Sequence, residues 1–139
     1  MSYEFKKITD FEVGMSNSVT RTMTEADVAA FGGLSMDFNP VHFNHEYAKT
    51  TMFKAPIVQG NLVASLLTGA GAPFTGMASI YVKDERFFAA PVFIGDTITA
   101  TVEVADLNVE KKNMHLKATC TNQKGEVVVS GKITIKFID

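Results

Sequence analysis

The sequence predicts one α+β domain in which a curved antiparallel sheet wraps around a long apolar helix. Helical patterns occupy the first half of the chain, and apolar and polar residues alternate after residue 97. One helical stretch, residues 59–70, is apolar enough to need covering by other elements. Helices followed by a run of strands are typical of an α+β domain, and 139 residues suit one such unit.

Composition and charge narrow the classes of protein to which the chain can belong. Hydrophobic residues make up 46% and charged residues 20%, which argues against a disordered chain. A net charge of −2 gives no attraction to nucleic acid or to anionic membranes. The N-terminus lacks the apolar core of a signal peptide, and the longest apolar stretch, residues 62–74, is too interrupted to span a bilayer. We therefore expect a cytoplasmic protein with no nucleic-acid or membrane partner.

The first elements are predicted from capping signals. Residues 4–23 are expected to form a short strand or an extended arm. Thr24 and Asp27 have the spacing of a capping box, which predicts a helix over residues 25–33 that ends at its two glycines.

A loop is expected over residues 34–43, followed by a short helix. Asn44 is a good N-cap for that helix, which should run through Lys49. Tyr47 and Ala48 are both expected to face the core.

The apolar helix over residues 59–70 is expected to be the centre of the domain. Gly69, Gly71 and Pro73 are predicted to stop it. Its small residues would let other backbones approach closely.

The second half of the chain predicts antiparallel strands. Residues 78–88 alternate poorly, but the apolar residues 80–82 and 87–88 predict a strand there. Three half-buried strands follow, with a turn at residues 122–125 before the last one. The residues expected to share the inward faces are Ile98, Ala100, Val102, Val104, Met114, Leu116, Ala118, Cys120, Val127, Val129, Ile133, Ile135 and Phe137.

One polar block lies in the loop before the long helix. Asp37-Phe38-Asn39-Pro40-Val41-His42 places a carboxylate, an amide and an imidazole within six residues, and the residue before the proline is biased toward an extended or turn conformation. Histidine is the side chain whose ordinary titration lies nearest neutral pH. The first N–H groups of a helix beginning near Gly60 have no intrahelical partner and can face an anion. Acid–base chemistry beside a carbonyl requires such a set of groups.

Each of these residues also has an ordinary structural interpretation. Asp37 could accept local N–H groups in an Asx-turn, and His42 could be a plain loop histidine. Asn39 could simply form the turn before proline, and Gly60 could serve only close packing at the helix start.

The polar block and its neighbouring segments carry a resemblance to a known family. Together with Tyr47-Ala48, residues 53–60 (Phe-Lys-Ala-Pro-Ile-Val-Gln-Gly) and residues 88–96 (Phe-Ala-Ala-Pro-Val-Phe-Ile-Gly-Asp), it resembles the MaoC-type (R)-specific enoyl-CoA hydratases. The match is closest to the short, single-domain members associated with polyhydroxyalkanoate synthesis, and it spans nearly the whole chain.

The resemblance implies a fold, an activity and an assembly. It implies one hot-dog domain over residues 1–139 and a hydro-lyase that interconverts trans-2-enoyl-CoA and (R)-3-hydroxyacyl-CoA. It implies no metal and no separate cofactor, because coenzyme A is part of the substrate. It also implies a homodimer with the acyl tunnel at the interface.

The resemblance assigns roles to the site residues as well. Asp37 and His42 become the pair that activates one water and passes its protons in a syn addition, acting as a unit. Gly60 becomes the backbone donor to the thioester oxygen, and Asn39 a polar group near the water or the thioester.

Other residues of the long helix modify this assignment. Thr68 stands where close relatives usually have a serine and could hold the catalytic carboxylate, although a core threonine bonded to its own backbone fits equally well. Ser65 is a second supporting candidate. Members of the family commonly have Val-His-Gly-Met where this chain has Val58-Gln59-Gly60-Asn61. The two polar residues, Gln59 and Asn61, could alter substrate preference. Residues 69–72 are smaller than usual for a pocket floor, which could admit a different acyl group.

Three other functions use parts of the same pattern. A dehydratase acting on carrier-protein thioesters would use the same residues. A hot-dog thioesterase would need a carboxylate placed to attack or activate water at the carbonyl carbon. A non-catalytic acyl-CoA binder would not need Asp37 or His42 for any turnover.

The remaining titratable residues indicate no further site. His45 and His115 are expected to be exposed and lack metal-ligand spacing. Cys120, the only cysteine, can form no intramolecular disulfide and is expected in the core. Three cations could contact the phosphates of coenzyme A, although solvated positions are favoured: Lys54, Lys83 and Arg86.

Overall fold

The computed structural model describes residues 2–139, and four α-helices, one 3-10 helix (Ile8–Asp10) and five strands lie in that part of the chain. The helices are α1 (Glu25–Ser35), α2 (Pro40–Phe43), α3 (His45–Thr50) and α4 (Gly60–Thr75). The strands are β1 (Ser16–Thr22), β2 (Ser79–Phe88), β3 (Thr97–Asn108), β4 (Asn113–Thr121) and β5 (Val127–Phe137). They form one antiparallel sheet in the order β1-β3-β4-β5-β2, and the sheet packs on α4. The predicted α+β architecture is confirmed.

The start of α1 follows the predicted capping box. The Thr24 hydroxyl accepts the Asp27 N–H at 3.1 Å, and the Asp27 carboxylate accepts the Thr24 N–H at 3.0 Å. The Arg21 guanidinium, which is hydrogen bonded to Asp27, holds the pKa of that carboxyl below its ordinary value of 3.8. A short-range sequence signal was therefore enough to place this helix end.

The end of α1 lies beyond the predicted glycines. Gly32 is buried, and a Cβ there would lie 2.7 Å from the ring of Phe43, so this glycine serves packing and does not end the helix. The left-handed turn falls on Met36 instead, at a φ of 65°, and the Met36 N–H donates to the Gly32 carbonyl.

The predicted loop over residues 34–43 is partly helical. Its last four residues form α2, with Pro40 at the first position and the Asn39 side chain accepting the Val41 N–H at 3.1 Å. Asn44 caps α3 as predicted, and Ala48 is buried. Tyr47 is exposed, contrary to prediction, because adjacent residues of a helix point about 100° apart and only one side of this short helix meets the core.

The central helix α4 continues to Thr75, through all three residues predicted to stop it. Tertiary packing overrides their low helix propensity. The Tyr81 side chain from β2 fills the space over Gly71, where a Cβ would lie 2.7 Å from the tyrosine hydroxyl. That hydroxyl also donates to the Leu67 carbonyl at 3.3 Å, so β2 holds the small-residue part of the helix in place.

Strands β3 and β4 alternate as predicted, and β5 departs at its start. All predicted inward residues of β3 and β4 are buried. Burial raises the pKa of the Cys120 thiol in β4 to about 11. In β5 the register shifts, so that Cys120 pairs with Val129 and Thr121 pairs with Val127. This irregularity buries both Val128 and Val129 and leaves Val127 exposed, against the predicted parity.

Strand β2 is one continuous edge strand, and it confirms the strand predicted over residues 78–88. It pairs with β5 and carries a register shift between Tyr81 and Lys83, which explains the poor alternation of its sequence.

None of the helices in residues 2–139 has both the length and the apolar character needed to cross a membrane.

Candidate active site

His42 is fixed in one orientation by the backbone that leads into α4. Its Nδ1 lies 2.7 Å from the Ile57 carbonyl oxygen, which can only accept a hydrogen bond. The Nδ1 atom therefore carries a hydrogen, and the neutral ring keeps its lone pair on Nε2. The side chain is only 10% exposed.

Asp37 faces the free nitrogen of this ring. Its Oδ2 lies 3.6 Å from Nε2 of His42, while its Oδ1 accepts the Asn39 N–H at 3.3 Å. The carboxylate is 45% exposed, so water can reach it. One oxygen thus forms the Asx-turn and the other faces the imidazole, and the catalytic role of Asp37 remains a prediction. A gap of 3.6 Å exceeds a direct hydrogen bond and suits two groups that contact one water.

Asn39 supports the segment that carries the pair. Its side-chain oxygen is engaged by the Val41 N–H at the start of α2, and the side chain is exposed. This is the turn-forming role that the sequence allowed. A contact with water or thioester remains a prediction.

Gly60 begins α4 and leaves its backbone donor free. The first-turn N–H groups of a helix have no intrahelical acceptor, and the preceding residue, Gln59, provides no side-chain cap. Among residues 2–139 the Gly60 N–H donates to no protein acceptor. A Cβ at this position would lie 2.8 Å from the Phe88 ring, so the glycine also serves close packing.

His42 and Gly60 lie on the wall of the same apolar pocket. The pocket has a volume of about 340 Å³ and is enclosed by the start of α4, the segment before it, β5 and the segment after β2. Most of the wall is hydrocarbon, contributed among others by Phe53, Val58, Val63, Phe88, Val92 and Val129. An acyl chain in this pocket would lie beside the imidazole of His42, whose Nε2 faces Asp37 at 3.6 Å.

The two supporting candidates lie elsewhere on α4. The Ser65 hydroxyl donates to the Leu62 carbonyl at 2.6 Å. Burial raises the pKa of the Tyr81 hydroxyl, and a hydrogen bond with Thr68 opposes that shift. Thr68 is eight residues beyond Gly60, about 12 Å along the helix. The hydrogen bonds of residues 2–139 do not join either hydroxyl to Asp37, so their supporting role remains a prediction.

The other histidines do not extend the site. His45 pairs with Glu25 on the surface at 2.9 Å, and His115 lies in β4 opposite Asp106. No group of three or more His, Cys, Asp or Glu side chains within residues 2–139 is arranged to hold a metal ion.

Two features of the site were missed by reasoning from the sequence. The Ile57 carbonyl orients His42, and the Phe88 ring closes on Gly60. Both residues lie in segments that carry the family resemblance. Nothing in the sequence showed that a backbone carbonyl or a distant ring would complete the site.

A sheet curved around one helix, with the imidazole of His42 on the wall of an apolar pocket, defines a hot-dog protein. Residues 8–127 match the family described as the MaoC like domain. The (R)-specific enoyl-CoA hydratase of Rhodospirillum rubrum is 45% identical over 91% of this chain and 88% of its own length.

Solved structures agree with this family. The (R)-hydratase from Aeromonas caviae involved in polyhydroxyalkanoate biosynthesis is 41% identical, with a TM-score of 0.87 over 91% of this chain and 97% of that one. The R-hydratase PhaJ1 from Pseudomonas aeruginosa is 32% identical, with a TM-score of 0.89 over 96% and 86%. This chain belongs to the MaoC-like family, and the predicted resemblance and hot-dog fold are confirmed.

Proposed function

We propose that this protein is an (R)-specific enoyl-CoA hydratase, a hydro-lyase that also catalyses the reverse dehydration. The observation that carries the proposal is the 3.6 Å separation of Asp37 Oδ2 from Nε2 of His42, a residue on the wall of an apolar pocket that also contains Gly60. Family membership and 45% identity to an enzyme of that name support it.

The geometry supplies each group that hydration needs. Water held between Asp37 and His42 gives one proton to the pair as its oxygen bonds to the β-carbon of the enoyl thioester. The double-bond electrons move toward the thioester oxygen, where the Gly60 N–H stabilises the developing negative charge. The pair then returns one proton to the α-carbon, so its own charge is unchanged after the cycle.

The proposed reaction requires no redox cofactor and no separately bound coenzyme. Addition of water to a conjugated double bond transfers no electrons to an external acceptor, and coenzyme A arrives as part of the substrate. Supply of (R)-3-hydroxyacyl-CoA for polyhydroxyalkanoate synthesis, the process named for the Aeromonas caviae enzyme, and a cytoplasmic location are further parts of this proposal.

A direct assay tests the activity. Purified protein is expected to remove the enoyl-thioester absorbance of crotonyl-CoA and to yield the (R)-3-hydroxy product, because the pair and the N–H donor flank the conjugated system. Free thiol, measured in the same reaction, should not appear. Crotonyl-CoA and crotonyl-carrier protein are compared at equal concentration. Thiol release would indicate a thioesterase, faster turnover on the carrier protein would favour the dehydratase alternative, and no turnover on either would contradict the proposal.

We also propose that the protein acts as a homodimer formed through β2. This strand ends the sheet and pairs only with β5 among the described strands. It exposes a run of large apolar side chains, which are Ile80, Tyr81, Val82, Phe87 and Phe88. An apolar edge strand of this kind pairs readily with a second chain.

The assembly can be tested with two matched valines. Val82 in β2 is 53% exposed and Val109, in the turn after β3, is 54% exposed. Val82→Lys places a charge in the proposed interface, so it should sediment at the 15.1 kDa of one chain, while Val109→Lys and the wild type sediment at twice that mass. A monomeric wild type at assay concentration would contradict the proposal.

A further inference from the structure

Gln59 is a buried polar residue at the junction of two elements of the site. It is 1% exposed, and its Nε2 donates to the Val28 carbonyl of α1 at 3.0 Å. That carbonyl can only accept, which fixes which end of the amide faces it. The other end, Oε1, has no hydrogen-bond partner in residues 2–139.

The Gln59 side chain turns away from the helix that it precedes. A residue at the N-cap normally uses its side chain to accept an N–H group of the first turn. Gln59 occupies the N-cap of α4 but makes no such bond. Its side chain lies against α1 instead, where its Nε2 donates to the Val28 carbonyl.

The hydrogen bond to Val28 links the two halves of the site. Helix α1 leads through the turn at Met36 directly to Asp37, whose N–H donates to the Ser35 hydroxyl at 3.2 Å. On the other side of the link, Gln59 is the residue before Gly60. One amide therefore ties the helix that precedes the carboxylate segment to the start of the helix that carries the N–H donor.

The unpaired Oε1 argues against a purely structural purpose. A buried acceptor without a partner destabilises a fold, and an apolar side chain of similar length would fill the same space without that penalty. Such a group in a folded protein calls for an explanation in function.

We propose that Gln59 is a positioning residue that sets the Gly60 N–H relative to the Asp37–His42 pair. The role rests on the proposed hydratase function. Gln59 does not touch the reacting atoms, and it acts by holding α1 and the first turn of α4 in register.

Variants at position 59 separate this role from general stability. Gln59→Met removes the donor with little change in shape, and is expected to fold with an unchanged or higher Tm. Its kcat on crotonyl-CoA should fall about 10–100-fold, because small misplacements of catalytic groups have effects of that size. KM should change less than about threefold, since the apolar pocket is intact. Gln59→Leu, which also removes the donor and leaves no polar atom at the buried position, should show the same loss of kcat. Gln59→His, which keeps an N–H donor, should recover part of it.

Thr75 provides the matched control. It is the other buried polar residue among those described and lies at the far end of α4, where its hydroxyl donates to the Gly71 carbonyl at 3.1 Å. Thr75→Val should lower Tm and leave kcat at the wild-type value. The pH profile of kcat/KM should be the same in wild type and Gln59→Met, because the acid–base pair itself is unaltered.

The possible outcomes test the positioning role of Gln59 separately from the proposed hydratase function. An active wild type with Gln59→Met and Gln59→Leu within twofold of its kcat would overturn the positioning role alone. A loss of kcat that follows Tm across all variants, Thr75→Val included, would also overturn it. A wild type inactive on both enoyl thioesters would overturn the proposed function and, with it, the positioning role.

Discussion

The Asp37→Asn variant is expected to lose about 10²–10⁴-fold in kcat on crotonyl-CoA, the usual range for a positioned acid or base. The carboxamide keeps the shape of the side chain and can still accept the Asn39 N–H that Oδ1 accepts in the wild type. It cannot take a proton from water. The protein should therefore stay folded, with a circular-dichroism melting curve close to that of the wild type, while steady-state turnover is lost.

The same loss is expected for His42→Asn. The shorter amide can still offer an N–H toward the Ile57 carbonyl, which Nδ1 of His42 contacts at 2.7 Å, but it lacks the basic Nε2. Because Asp37 and His42 act on one water as a unit, the double variant should be about as slow as either single variant. Additive losses would show that the two residues act separately.

A second carboxylate–imidazole pair in the same chain provides the control. Glu25 and His45 lie 2.9 Å apart on the surface and do not line the apolar pocket. Glu25→Gln and His45→Asn remove similar chemistry without touching the proposed site, so both should keep wild-type kcat. Retention of more than about a tenth of the activity in Asp37→Asn and His42→Asn would contradict the proposed mechanism.

The sequence predicted those parts of the fold that depend on neighbouring residues. The caps at Thr24 and Asn44 bind N–H groups a few positions away, and both helix starts were placed correctly. The end of α4 was not, because Gly71 and Pro73 are tolerated in a helix that the sheet covers, with Tyr81 packed over the glycine. A contact between residues that are far apart in the sequence produces no hydrophobic periodicity in either segment, so reasoning from the sequence does not detect it.

In the candidate site, too, only the features that depend on neighbouring residues were predicted from the sequence. Asp37 and His42 are five positions apart in one compact turn, so their proximity follows from the motif itself. The groups that support the candidate site come from more distant parts of the sequence. The Ile57 carbonyl orients the imidazole of His42, and the Phe88 ring packs on Gly60. Sequence reasoning proposed the candidate acid–base side chains, and only the three-dimensional fold showed which groups support them.

Gly131→Ala is expected to be the most destabilising of the single-methyl additions that the structure suggests. A Cβ at Gly131 in β5 would lie 1.9 Å from the carbonyl oxygen of Glu85 and 3.2 Å from the Cα of Arg86, both in the paired strand β2. These are backbone atoms, so no side-chain rotation can relieve the overlap. Either β2 moves away from β5 or the ladder breaks at this point, at a cost of about 1–3 kcal/mol or more.

The consequence should be visible in both stability and activity. For a domain of this size the expected decrease in Tm is about 4–12 °C. Phe88, at the end of β2, packs on Gly60 and lines the apolar pocket, so displacement of the strand should also raise KM for crotonyl-CoA. Gly33→Ala is the matched control, because no described atom lies within 4 Å of an added Cβ and the position is helical. That variant should be as stable as the wild type or more so. A Gly131→Ala variant that melts within about 2 °C of Gly33→Ala would contradict this prediction. It would mean that contacts other than the ladder with β5 hold β2 in place. The edge strand could then shift to accommodate an added methyl group at Gly131.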